Sequence, residues 1–359
     1  MPAATTDILA DRIEVEATID GYEFLDWTEM KYTAEANRAR SLTFAVAGRE
    51  ALERCRLGAR TVIECGRGNQ QHNLSFEGVI KNIRPGPVIS HVTALDLITH
   101  LHKSELVDYK LKNIQGQDLY FLAKDAAGYK GINTTNLTEG SGLIATADMG
   151  LTGLQTRGEF INKCFSYMYR AYDDADHEKL SYVPWRYGIR SGRRLDFWLS
   201  DNLHKRARPV ITLSEADDNL TGEGIVAEID ASRMINSSTF FSSDDETIYS
   251  TFTDENSVEL FGPYSNKTSF DSTNKSRLME MARDEVQRSK GPTLAYTLQL
   301  HNGEWLALGD LVQIVVPQVE RDIILPVVRY ETSVGEEIIT SLTVGEPPLS
   351  LSEYITRLG

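Results

Sequence analysis

The chain lacks the residue spacings that mark common enzymes. It has no G-x-S-x-G, no P-loop and no HExxH, and Gly66-Arg67-Gly68 stops short of the third glycine of a dinucleotide fingerprint. Cysteine is scarce. Cys55, Cys65 and Cys164 are odd in number and form no CxxC, which argues against a disulfide framework and fits synthesis in a reducing compartment. No apolar run approaches the roughly 20 residues of a membrane-spanning helix, and the N-terminus, MPAATTDILADRIEVE, has neither the basic nor the apolar region of a secretion signal. No membrane insertion is expected. Positive charge is also short: 37 Lys and Arg stand against 52 Asp and Glu, a net charge of −15. Sequence-independent binding of nucleic acid draws on cations that neutralise phosphates, so an acidic chain is a poor candidate for it.

Weaker constellations remain, and each has a plain structural reading. His100-Leu101-His102 is a close histidine pair without further ligands in register, so solvent-facing histidines at a helix end are expected rather than a metal site. Asp173-Asp174-Ala175-Asp176 and Asp217-Asp218-Asn219 offer oxygens to calcium but lack the EF-hand register and its closing glutamate. They read as polar turns, as does Asp244-Asp245-Glu246. Trp27, Trp185, Trp198 and Trp305 are candidates for lining a sugar site, although buried anchors are the commoner role in β-rich domains. A carboxylate pair for glycoside hydrolysis leaves no local signature. Accordingly no catalytic, cofactor-binding or metal residue is assigned, and no cofactor is expected.

What the chain does have is strand periodicity. Ile13, Val15, Ala17 and Ile19 alternate with polar residues up to the hairpin signal Asp20-Gly21. Further strands are predicted through Phe24 to Tyr32, at Leu42, Phe44 and Val46, over 60–65, over 74–84 and over 88–95, after a polar break at 35–40. The middle changes character. Asp118 is a candidate cap for a helix carrying Leu119, Leu122, Ala123 and Ala126, and a second helix is predicted over 159–170 with Ile161, Cys164, Phe165 and Met168 on one stripe. Two strands flank Ser191-Gly192. Strands follow at 224–230, 237–242 and 247–252, a break at Phe261-Gly262-Pro263-Tyr264, a helix over 272–288 and a strand over 294–300. Residues 304–347 hold a meander in which Val312, Ile314 and Val316, then 323–330, then Ile338, Thr340, Leu342 and Val344 form three half-wet strands. Ser350 and Glu353 make a capping box for a short terminal helix.

Charge is uneven. Residues 215–259 hold twelve acidic residues and only Arg233 as a base, while 186–208 holds seven Lys and Arg against two Asp. A weak internal repeat is also present. Leu57-Gly58-Ala-Arg-Thr-Val-Ile63 lies over Leu308-Gly309-Asp-Leu-Val-Gln-Ile314, and each is followed by a hairpin, at Gly78-Val79-Ile80-Lys81 and Pro326-Val327-Val328-Arg329. The fold class expected is mainly β with an α+β insert: two similar β-barrels and a small middle domain. The expected divisions are 1–103 for the first barrel, 104–214 for the middle domain, 215–347 for a second barrel with an inserted helix, and 348–359 for the terminal helix.

This order of elements resembles the tail hub proteins of bacteriophages and contractile injection systems, the late-control or baseplate hub family. The matching stretches are Ile19-Asp20-Gly21-Tyr22-Glu23-Phe24-Leu25-Asp26-Trp27, Leu42-Thr43-Phe44-Ala45-Val46, Leu57-Gly58, Phe76-Glu77-Gly78-Val79-Ile80, Leu308-Gly309-Asp310, Leu342-Thr343-Val344-Gly345 and the closing 351–358 helix. The resemblance spans most of the chain but rests on no signature residue. It implies tail-tube-like barrels in a homotrimer whose two barrels per subunit make a pseudo-six-fold ring in the virion tail tip. It implies partners too: the tail tube or a distal tail protein, a central spike or tip protein, and a tape-measure protein. DNA would pass through the lumen without specific binding, and part of the acidic 215–259 segment is expected to face that lumen. A tail-associated cell-wall hydrolase and a carbohydrate-binding β protein are the alternatives.

Overall fold

A computed structural model of the chain describes residues 13–25, 27–67, 74–174, 179–199, 211–214, 220–301, 303, 306–315, 323–335 and 337–345. The terminal helix expected over 351–358, the carboxylates Asp176, Glu215, Asp217 and Asp218, and Trp305 lie outside the described residues.

The first β unit comprises β1 (Ile13–Ile19), β2 (Tyr22–Glu23), β3 (Trp27–Glu35), β4 (Ser41–Ala47), the short α1 (Arg49–Arg54), β5 (Arg60–Arg67), β6 (Leu74–Arg84) and β7 (Ile89–Asp96). The middle region holds α2 (Ile98–His102), β8 (Val107–Tyr109), α3 (Leu111–Ile114), α4 (Leu119–Ala127), β9 (Gly153–Gln155), α5 (Arg157–Tyr167), β10 (Tyr169–Asp174), β11 (Lys179–Ser191) and β12 (Arg194–Leu199). Then come β13 (Ile211–Ser214), β14 (Leu220–Asp230), β15 (Ser237–Ser242), β16 (Tyr249–Thr253), α6 (Glu255–Phe261), β17 (Ser265–Phe270), α7 (Lys275–Ser289), β18 (Thr293–His301), β19 (Leu311–Val315), β20 (Ile323–Val334) and β21 (Ile338–Gly345).

Period-two patterning explains the strands. Leu42, Phe44 and Val46 in β4, and Ile338, Thr340, Leu342 and Val344 in β21, are buried on one face, while Ser41 and Thr43 in β4 and Ile339, Ser341 and Thr343 in β21 on the other face are only partly covered. The hydroxyl of buried Thr340 is not orphaned, since it lies 3.0 Å from that of Thr332. Helix starts are chemical. Asp118 accepts from Tyr120 N to cap α4, and Thr156 with Glu159 forms a capping box on α5. That box starts α5 two residues before the predicted point. The helix ends at Tyr167, and the next residues form β10 instead of a further half-turn.

Thirteen strands form one sheet in the order β14-β18-β21-β20-β3-β4-β7-β6-β5-β1-β2, with β19 on β20 and β13 on β19. Among the described residues no ring of paired strands closes in either unit. The strands expected in two barrels thus make, among the described residues, two halves of one sheet, joined where β20 pairs antiparallel with β3 from Arg329↔Glu35 to Val334↔Met30. One hydrophobic core runs through both halves. The middle region has its own core from Leu97 to Phe197, built on α4, α5 and the β11–β12 hairpin. Strands predicted as part of the second barrel lie elsewhere: β15, β16 and β17 make a separate three-stranded sheet against which α7 packs with Leu278 and Ala282, facing Phe240. The insertion is thus a small α+β unit, not the single helix expected.

Candidate assembly site

The internal repeat is written in hydrogen bonds. Gly58 N donates to Ile80 O and Ile80 N to Ala59 O, at 2.8 and 2.9 Å; Gly309 N donates to Val327 O and Val327 N to Asp310 O, both at 2.8 Å. Both glycines have positive φ, +84° and +78°, where a side chain is unfavourable. Arg60 pairs with Val79 as Leu311 pairs with Pro326. The next step outward breaks register in the same place: between Ile80 and Asn82 on β6, and between Val327 and Arg329 on β20. These bulges bend both strands so that one end pairs with β5 or β19 and the other leaves that edge. From the bulges the match runs on. Ala94 and Val344 sit opposite Ile80 and Val327, and Leu42 and Tyr296 sit opposite those in turn. Leu42 then faces Tyr32 on β3, while Tyr296 faces Ala227 on β14. The hairpin alignment expected from sequence is one residue off, because Val79, not Gly78, matches Pro326.

A buried arginine fastens the first unit to the middle region. Arg40 is fully buried. Its Nε donates to Asp96 Oδ2 at 2.9 Å, Nη1 to the Tyr32 hydroxyl and to Ser75 O at 2.9 and 3.0 Å, and Nη2 to Gly192 O at 3.1 Å. The Tyr330 hydroxyl of the second unit donates to that of Tyr32 at 3.2 Å. Burial works to lower the Arg40 pKa, but Tyr32, Asp96 and Tyr330 outweigh it, so the guanidinium stays charged. Burial also pushes the Asp96 carboxyl upward, against the pull of Arg40.

Nearby, Glu77 Oε1 accepts from Arg60 Nε at 2.7 Å and from Arg193 Nε and Nη2 at 2.8 and 2.6 Å. Burial opposes its ionisation, yet the bonds from Arg193 and Arg60 prevail and hold its pKa below the usual value. On the other side Trp198 packs on the Gly309 turn so closely that a Cβ there would sit 2.9 Å from the indole nitrogen. One hairpin, β11–β12, thus grips both halves of the sheet. Asn37, at φ +63°, completes the joint by exchanging two 2.8 Å hydrogen bonds with Tyr187.

The opposite face of the sheet is polar and rich in hydroxyls: Lys31 and Thr33 on β3, Ser41 and Thr43 on β4, Thr93 on β7, Glu331 on β20, Ser341 and Thr343 on β21. Lys31 and Glu331 pair at 2.7 Å across the seam. Of the acidic segment, Glu223, Glu228 and Asp230 belong to this sheet, all in β14. Asp254, Glu255 and Glu259 lie at or on α6, where Asp254 caps the helix and pairs with Lys290 at 3.0 Å.

The remaining sequence candidates do not converge. His100 and His102 are both half-buried, and burial lowers both pKa values. Trp185 and Trp198 are buried in the cores and Trp27 is half-buried against one, so these three do not line an open sugar site. Among the described residues no cluster of three metal-ligating side chains occurs. A cavity of about 530 Å³ between the β1–β2 hairpin and α1 is walled by Asp20, Glu23, Glu53, Arg54 and Arg56, of which Arg56 and Asp20 already pair at 2.7 Å. Arg40 gives no sign of its burial in the sequence, because it stands in a segment that reads as a polar break.

No family model matches the chain, and no curated protein matches it. Solved structures do. A tail protein from Neisseria meningitidis aligns over 93% of this chain and 96% of its own at 17% identity, with a TM-score of 0.61. The 43 kDa tail protein of prophage MuSo2 from Shewanella oneidensis aligns over the same shares at 12% identity and a TM-score of 0.60. Prophage tail protein gp18 from Listeria monocytogenes aligns over 96% and 98% at 12% identity, with a TM-score of 0.52. The fold is that of phage tail proteins, along nearly the whole chain.

Proposed function

We propose that the chain is a structural hub of a phage or phage-like tail: a homotrimeric ring that joins a six-fold tail tube or distal tail protein to a three-fold spike or tip. The observation that carries this reading is the doubled backbone register, with glycine turn, bulge and strand order repeated in one chain. Three copies then present six near-equivalent β units to a six-fold neighbour. The middle region and the 231–292 insertion occur once per chain, so the same ring offers three-fold features to a tip. The hydroxyl-rich sheet face suits the channel wall, because uncharged hydroxyls and paired charges offer passing DNA no run of unpaired cations. A tape-measure protein ending in that channel is a further expected partner.

The role is assembly, not catalysis. Asp96 and Glu77, the carboxylates buried at the joint, are both held by arginines, which leaves neither free for proton transfer. The test is the native mass of the full chain, alone and in tail particles. Trimers in solution and three or six copies per tail are expected; a chain that stays monomeric at high concentration and is missing from tails sinks the reading.

A further inference from the structure

The internal repeat leaves two strand edges open, and each has a paired counterpart inside the chain. Among the described residues β14 pairs on one side only, with β18. Its counterpart β3 pairs on both sides, with β4 and β20. Among the described residues no strand pairs with β6 on its β5 side beyond Val79; the counterpart stretch of β20 is the one that meets β3. The seam between the two halves of one chain is therefore a template for a seam that the isolated chain lacks.

We propose that β14 of one copy adds antiparallel to β6 of the next copy along Asn82, Ile83 and Arg84. The register follows from the repeat. Arg329, Tyr330 and Glu331 face Glu35, Ala34 and Thr33 within the chain. Carried through the matched strands, Asn82 faces Asp230, Ile83 faces Ile229, and Arg84 faces Glu228. The chemistry of those residues fits. Ile229 is 71% exposed although it takes the place of Ala34, which is 0% exposed under the internal seam. Ile83 and Ile229 both point to the core side, since their partners Val92 and Leu294 belong to the core. Arg84 and Glu228 are exposed, fall on the polar face, and carry opposite charges. Exposed apolar residues on an unpaired edge are what a sheet-forming partner covers. A heterologous contact of this kind closes into a ring when copies repeat it.

The inference rests on the ring reading above, and the experiment separates the two. The full chain carrying Ile83→Cys and Ile229→Cys is oxidised and run without reductant beside its native mass. Directly opposed antiparallel residues lie within disulfide reach, at about 4.5–5.5 Å between Cα atoms. The native cysteines are buried, and burial pushes the Cys164 thiol up to about 12, so background is low. Covalent trimers are expected from the double variant, dimers from an equal mixture of the single variants, and neither from Lys81→Cys paired with Ile229→Cys. A trimer by native mass that never cross-links at 83–229 overturns the edge pairing and leaves the ring standing. No oligomer in any form overturns both. Arg84→Glu and Glu228→Arg should each weaken assembly about ten-fold and together restore it, as for opposed charges on neighbouring strands; single reversals without effect overturn the register.

Discussion

The two halves of the large sheet share a register but not a chemistry. Arg40 in the first half matches Leu294 in the second, Arg60 matches Leu311, and Glu77 matches Ile324. Charged residues in one copy thus stand where aliphatic ones stand in the other. The reason lies in what docks. The turn between β3 and β4 is short and carries the Gly192–Arg193 turn of the middle region, whereas the matching connection between β14 and β18 opens into the 231–292 insertion. A planar guanidinium can satisfy carbonyls and a carboxylate from several strands at once, which an aliphatic side chain cannot. The backbone repeat sets where strands go, and the side chains at the repeat record which neighbour each half receives.

The sharpest way to break this comparison is to give the first half the residue of the second. Arg40→Leu leaves Asp96 buried without its cation and Gly192 O without a donor. A loss of about 3–5 kcal/mol is expected, the usual cost of orphaning a buried charge. Asp96→Asn in the same chain should recover part of it, since the asparagine oxygen can still accept from Ile98 N. Urea unfolding of the three proteins checks this. A single variant within about 1 kcal/mol of the parent means the arginine is dispensable and the contrast between the halves is decorative.

Much of this sheet was legible beforehand because half-wet strands announce themselves. The buried face of β21 was read residue by residue, and the Asp118 cap from its position before an apolar stripe. Three things were hidden. Ser265 to Phe270 is a strand whose one apolar residue is Phe270 and whose burial alternates only between exposed and half-buried, so no apolar period reveals it. The β3–β20 seam joins residues nearly 300 positions apart, as in the Tyr32–Tyr330 hydroxyl contact, and no local pattern encodes such a pairing. Arg40 sits in a segment, 35–41, that mixes Glu35, Arg38 and Arg40 with small and polar residues, and arginine is so often solvated that full burial leaves no trace in one sequence. For the assembly site, Gly58 and Gly309 were visible as a pair. The open edges were not, because the exposure of Ile229 appears only once β14 is seen to lack a second neighbour.

The two turn glycines sharpen the comparison at smaller scale. Both need positive φ, so alanine at either should cost about 1–2 kcal/mol in backbone strain. Only Gly309 also meets a neighbour: its added Cβ would crowd Trp198, whereas nothing lies within 4 Å of the same atom on Gly58. Overpacking adds about 1–3 kcal/mol. Gly309→Ala is thus expected to be clearly the worse of the two in urea, and to change Trp198 emission as the indole shifts. Equal losses for both variants, with unchanged emission, mean that the middle region does not bear on the second half as described.

The smallest effect tests the charged joint by pH. Glu77 is held below its ordinary pKa by Arg193 and Arg60 despite its burial. A carboxylate depressed in the folded chain contributes stability above its unfolded pKa, here the ordinary 4.5, and loses it as pH falls through the folded value. Both arginine side chains are largely open to solvent, at 56% for Arg60 and 41% for Arg193, so screening keeps the contribution to about 1 kcal/mol. Glu77→Gln is expected to lower the urea midpoint at neutral pH, with the gap to the parent closing once the solution is acidified below the folded pKa of Glu77. Added salt should narrow the neutral-pH gap as well, because exposed partners are screened. Because Ile324 fills the matching place in the second half, that half offers no such pH dependence of its own. A gap that stays constant across the whole range would assign the loss to packing at Glu77, and the two halves would then differ in shape, not in charge.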